Sequence, residues 1–137
     1  MFMLVYVERC GMSREPRAVA EEFFNRMKDD ERRPTVGDLF AATATITVPG
    51  ERFEGPDAPG AMLDFFGPPR YEWATKEFDR WITAGPHVVS LGTLYGVDSE
   101  GEEFDGVRYV DVYEVRDGLI HRLDIYNDMT AEGVVDP

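Results

Sequence analysis

Residues 107–127 constrain this chain more than any other stretch. Asp117-Gly118 separates two runs of alternating side chains, a strong short-range signal for a β-hairpin. On the first run Val107, Tyr109, Asp111, Tyr113 and Val115 share one face, and Arg108, Val110, Val112 and Glu114 take the other. Both faces are apolar in the middle, so such a strand is covered on both sides. Yet Asp111 sits at its centre between two tyrosines. A carboxylate buried there must be neutralised, paired or used.

What faces Asp111 depends on the turn. A two-residue type I′ turn at Asp117-Gly118 sets Asp111 opposite Asp124 and Tyr109 opposite Tyr126. A three-residue loop with Gly118 left-handed sets Asp111 opposite Leu123 and brings Ile125 and Asn127 onto its face. A slip of one residue exchanges the whole facing set. The first register makes a carboxylate dyad, costly unless a shared proton is useful. The second, with Asn127 as the polar neighbour, is the expected one.

The remaining elements follow from periodicity. Ser13 is the expected N-cap of a helix carrying Val19, Ala20, Phe23, Phe24 and Met27. After the polar break "DDERRP" a short second helix carries Val36, Leu39 and Phe40. "ATITV" reads as a strand ended by Pro49-Gly50, with "ERFEG" as its hairpin partner. Pro56 suits the first turn of a third helix bearing Ala61, Met62, Phe65 and Phe66. A long strand then runs from Tyr71 to Ile82, putting Trp73 and Trp81 on one face. A second runs from His87 to about Tyr95, ahead of the two opening strands. The order α-α-β-β-α-β-β-β-β predicts an α+β fold, a curved antiparallel sheet of about six strands closed by three helices into a cone. Asp111 points into that cone, and Phe23 or Phe24 and Met27 are expected to enter it from the first helix.

With 137 residues the chain is one domain, expected over residues 13–130, with an N-terminal extension at 1–12 and a C-terminal tail at 131–137. "MFMLVYV" is too short for a bilayer span and lacks the basic start of a signal peptide, and Met12 is an alternative start. The segment is strand-prone and is expected to pair with a sheet edge or a neighbouring subunit. A net charge of -13 argues against nucleic acid or an anionic membrane as partner. A single cysteine, Cys10, fits a reducing cytoplasm. His87 and His121 are far apart, without metal-ligand spacing, so neither a metal nor a cofactor is expected.

The order of elements, with "LFAATATITVPG" entering the first strand and "YVDVYEVRDGLIHRLDIYND" closing the chain, resembles the SnoaL-like branch of the NTF2-like superfamily. Ketosteroid isomerases, SnoaL-type polyketide cyclases and limonene-epoxide hydrolases are relatives within it. The resemblance spans about Ser13 to Met129. It implies that Asp111, in "VDV", stands where ketosteroid isomerases keep a protonated oxyanion-hole aspartate. Val48 stands where they keep the base, and Phe23 and Phe24 where they offer a tyrosine. "SLGTLYG" lacks the Arg-x-Asp pair of the epoxide hydrolases, and Thr45 and Thr47 fall near their water-holding residues. The cyclase pattern, one pocket aspartate acting on an enolisable molecule, is least contradicted.

Three readings stand at this point. One is a cofactor-independent cyclase, isomerase or hydrolase acting through Asp111 on a small apolar oxygenated molecule such as a polyketide or terpenoid. The second is a non-catalytic pocket protein, and the third a dimerisation module. Tyr109, Asn127, Phe24, Val48 and Trp73 are the expected ligand contacts. A homodimer is expected through the face bearing Val110 and Val112. Burial is expected to raise the pKa of Asp111, and Asp111→Asn to leave stability intact.

Overall fold

The computed structural model describes residues 15–67 and 70–136, so the extension at 1–12, Cys10 and the Ser13 cap lie outside the described residues. Helix α1 spans Pro16–Met27, with Glu15 at the N-cap and no capping side chain. Pro16 begins the helix where a missing N–H is harmless and its fixed φ is already helical. A 3-10 helix follows at Arg33–Leu39. It carries the expected Val36 and Leu39 but not Phe40, which is already strand. Strands β1 (Phe40–Val48) and β2 (Glu51–Glu54) form the expected hairpin, and α2 covers Ala58–Phe65. The long strands β3 (Tyr71–Ala84), β4 (His87–Asp98) and β5 (Glu103–Arg116) precede β6 (Leu119–Asn127).

The sheet order is β2-β1-β6-β5-β4-β3. One pair departs from the expected antiparallel pattern: β1 lies parallel to β6, with Ile46 opposite Leu123. No hairpin joins these strands, so no turn dictates their direction, and most of the chain separates them. The sheet is therefore mixed.

Its curvature has local causes. The β3–β4 register shifts between Tyr71 and Trp73 and again between Phe78 and Arg80. At both places β4 supplies a glycine. A Cβ on Gly92 would lie 2.1 Å from the Glu77 carbonyl oxygen, and one on Gly96 2.1 Å from that of Trp73. Only glycine admits so close a backbone. The second shift also overturns an expectation drawn from alternation. Trp81 turns inward, its ring 4.9 Å from that of Phe78, whereas Trp73 is 48% exposed and meets Tyr95 edge-on. The two tryptophans do not share a face.

The core lies between α1, α2 and the concave face. Phe23 is buried against Phe40 and Tyr113, with ring centroids at 5.8 and 5.9 Å. Ile46, Met62, Ile120 and Leu123 complete that cluster. A second cluster at the far end gathers Tyr71, Leu94, Val107, Tyr109 and Met129. Val134 and Val135 are buried in it, so the segment expected as a tail packs into the fold.

Candidate active site

The β5–β6 hairpin combines the turn of one expected register with the facing set of the other. Asp117 and Gly118 both have positive φ (53° and 78°), as a two-residue type I′ turn requires. Arg116 then pairs with Leu119 and Val115 with Ile120, but Glu114 pairs with Arg122. A bulge at His121 absorbs one residue. Asp111 consequently faces Ile125, and Tyr109 faces Asn127. Leu123 lies opposite Tyr113 rather than Asp111. Asp124 pairs with Val112 on the other side of the sheet, where it accepts from Thr47 (2.6 Å) and Arg122 (2.9 Å). There is no carboxylate dyad.

Between α1, α2 and the sheet lies a cavity of about 440 Å³. Phe24, Trp73, Tyr109, Asp111 and Asn127 line it, as do Phe23, Met27, Met62 and Tyr71. Val48 does not: it is buried in the core. His87 sits at the exposed start of β4, 3.9 Å from Glu114. Among the described residues no group of three or more His, Cys, Asp or Glu comes together as a metal site.

Asp111 is 1% exposed. Lys76 on β3 reaches across to donate to its Oδ2, and Oδ1 is buried without a hydrogen-bond partner among the described residues. Burial pushes the Asp111 pKa up, against the opposing pull of the Lys76 charge and hydrogen bond. The Lys76 ammonium also lies over aromatic rings, 5.2 Å from the centroid of Tyr109 and 6.0 Å from those of Phe23 and Phe24. Such contacts favour a cation in an otherwise apolar space.

The hydroxyls around the pair stay protonated. Tyr109 shares a 2.8 Å hydrogen bond with the buried Ser90, and burial pushes its pKa up to about 12. Tyr113 is raised further, by burial and then by the neighbouring Asp111 charge. Asn127 spends its carboxamide oxygen on the Met129 N–H (3.1 Å). At its floor the arrangement offers one cation, Lys76, one carboxylate with a spare lone pair, Asp111, and neutral hydroxyls, while Lys28, Asp30, Arg33 and Glu72 also line the chamber. It suits moving a proton on an uncharged molecule.

Lys76 was the residue sequence reasoning missed, although a signal was present. In "WATKEFD" the alternation puts Ala74, Lys76 and Phe78 on one face and Thr75, Glu77 and Asp79 on the other. A lysine flanked by alanine and phenylalanine on its own face points into an apolar environment.

The family model described as SnoaL-like domain matches residues 20–123. No curated protein sequence matches. Among solved structures, TerC co-crystallised with polyporic acid is 17% identical, with a TM-score of 0.75 over 90% of this chain and 100% of that one. An NTF2-like protein of unknown function from Burkholderia pseudomallei is 17% identical, with a TM-score of 0.76 over 89% and 98%. A putative SnoaL-like polyketide cyclase from Jannaschia sp. CCS1 is 14% identical, with a TM-score of 0.72 over 89% and 92%. These likenesses establish the NTF2-like fold.

Proposed function

We propose, from the premise that the chain belongs to the SnoaL-like domain family, that it is an acid/base enzyme for a small apolar oxygenated molecule of the polyketide or terpenoid kind. One observation carries the reading: a fully buried carboxyl with a lysine on one oxygen and, among the described residues, no hydrogen-bond partner on the other, facing an aromatic cavity. Oδ1 of Asp111 takes a proton from a carbon next to a carbonyl. The Lys76 ammonium neutralises the enolate oxygen as it forms, in a site where little water competes. Tyr109, Phe24, Trp73 and Asn127 bound the ligand. Val48 and Phe24 bring neither a second base nor a phenol, so the chemistry rests on the Lys76–Asp111 pair. The ligand named for TerC and the cyclase name of the Jannaschia protein support this substrate class.

The alternative is a binding protein that uses the same cavity without turnover. The fixed ion pair favours it, because a carboxylate already held by an ammonium is a weaker base. Turnover separates the two. Enolisable aryl ketones in D2O, followed by NMR, should exchange their α-protons faster with the protein present. Asp111→Asn should lower that rate on the order of a hundred-fold. An exchange rate unchanged by the substitution would leave the binding reading.

No helix among the described residues is long and apolar enough to cross a membrane. Ile82, Tyr95 and Tyr126 are exposed, and we assign this apolar outer surface to self-association, with the lone Cys10 fitting a cytoplasmic setting. Light scattering at micromolar concentration tests the dimer, and a monomer there would count against it.

A further inference from the structure

Only two of the 14 basic side chains are lysines, Lys76 inside the cavity and Lys28 at its exposed edge. Arginine would pair better with a carboxylate, offering two parallel hydrogen bonds where lysine offers a point charge. At Asp111 the single ammonium leaves Oδ1 unpartnered. Lysine has one capacity that arginine lacks: it gives up its proton and becomes a nucleophile. Lys76 is part-buried beneath three aromatic rings, while Lys28 is exposed, 5.1 Å from the Phe24 ring.

We propose that Lys76 captures aldehyde or ketone ligands as a protonated imine, with Asp111 relaying the protons. The inference rests on the reading of the cavity as a site for a small apolar oxygenated molecule and narrows that class to carbonyl compounds. The ammonium passes a proton to Oδ2 of Asp111, the oxygen it already donates to, so that two neutral groups replace two charges. The amine lone pair then forms a bond to the carbonyl carbon, and the π electrons move to oxygen, which receives the proton from Asp111. A second proton from the nitrogen travels by the same carboxyl to that oxygen. The C–O bond breaks, water leaves, and the nitrogen lone pair closes the C=N bond. One ammonium and one carbonyl become one iminium and one water, with Asp111 again a carboxylate. The iminium draws electrons from the adjacent carbon, where the same carboxylate then removes a proton.

The test uses benzaldehyde with sodium cyanoborohydride on the full chain, read by intact mass and peptide mapping. Reduction of the imine adds the mass of the aldehyde less one oxygen. Lys76 should be labelled about ten-fold faster than Lys28, because the cavity holds the aldehyde against it. Benzyl alcohol, which fills the cavity but forms no imine, should protect Lys76 and not Lys28. Asp111→Asn should slow labelling at Lys76 alone. A fluorescence titration with benzaldehyde, using Trp73 and Trp81, separates the failures. Saturable binding with Lys76 spared, or labelled no faster than Lys28, overturns the imine and leaves the proposed function standing. No binding and no selective label overturns both.

Discussion

Replacing Lys76 with methionine removes an ammonium group and keeps an unbranched stem of similar volume, so the packing against Phe23, Phe24 and Tyr109 is retained. What is lost is the only side-chain hydrogen bond to the Asp111 carboxyl among the described residues. The carboxyl, 1% exposed, has two ways to respond. It stays ionised in an apolar site, or it takes up a proton. The second route sets a ceiling on the loss. At about 1.4 kcal/mol per pH unit, protonating a carboxyl whose unfolded pKa is about 3.9 requires about 4 kcal/mol at pH 7 and about 1.5 kcal/mol at pH 5. Breaking buried ion pairs by removing one partner typically costs about 3–5 kcal/mol, in the same range. The sign follows from linkage. The folded variant holds a proton on Asp111 that the unfolded chain releases above pH 4, so stability falls as pH rises through that value. Urea unfolding followed by tryptophan fluorescence should therefore show a loss of about 3–4 kcal/mol at pH 7 that shrinks by more than half at pH 5. Adding Asp111→Asn to Lys76→Met should restore most of it, since a neutral amide has no ionisation to suppress. A loss below about 1 kcal/mol, equal at both pH values, would refute the reasoning, because the carboxylate would then have water within reach.

Asp111→Asn alone strands the Lys76 ammonium, so a loss is predicted in place of the unchanged stability expected from the sequence. Lys76 is 19% exposed and its stem is flexible, so the loss by chemical denaturation should be smaller, about 1–2 kcal/mol. Gly92→Ala drives a Cβ against the Glu77 carbonyl and the Tyr109 ring and should destabilise by about 2–4 kcal/mol, with a melting transition lowered accordingly. Burial raises the Asp124 pKa, but its hydrogen bonds to Arg122 and Thr47 outweigh that and hold it below the usual carboxylate value. Its stabilising contribution is present above about pH 4 and fades as pH falls through the lowered value, so Asp124→Asn should weaken the fold at neutral pH and progressively less as the pH falls below about 4.

Much of the site was legible because the relevant rules are local. Strand alternation put Asp111 inside with Tyr109 and Tyr113, and the i, i+4 spacing of Phe23 and Met27 put them on the helix face that meets it. The facing set of Ile125 and Asn127 was also reached, although by a loop the chain does not use. The bulge at His121 that selects it has no turn residue to mark it, since "LIHRL" reads as uninterrupted strand. Alternation failed at the β3 bulge between Phe78 and Arg80, where one extra residue reversed the face of Trp81. The parallel β1–β6 pair and the Lys76–Asp111 contact depend on where distant strands settle, and local pattern says nothing of that. Lys76 could be assigned to a face by its neighbours, but its partner could not.

The sheet order gives the two halves of the pair unequal footing. Asp111 stands on β5, flanked by strands on both sides, whereas Lys76 stands on β3, at the end of the order. A central strand answers to every neighbour, and a change there must satisfy all of them. A border strand answers to one. Selection thus has an anchored acid and a counterpart on a less constrained strand: the group opposite Asp111 is open to exchange by edits to β3 that leave the strands flanking Asp111 untouched, provided the replacement still satisfies the carboxyl. One scaffold then hosts successive chemistries by re-equipping its margin.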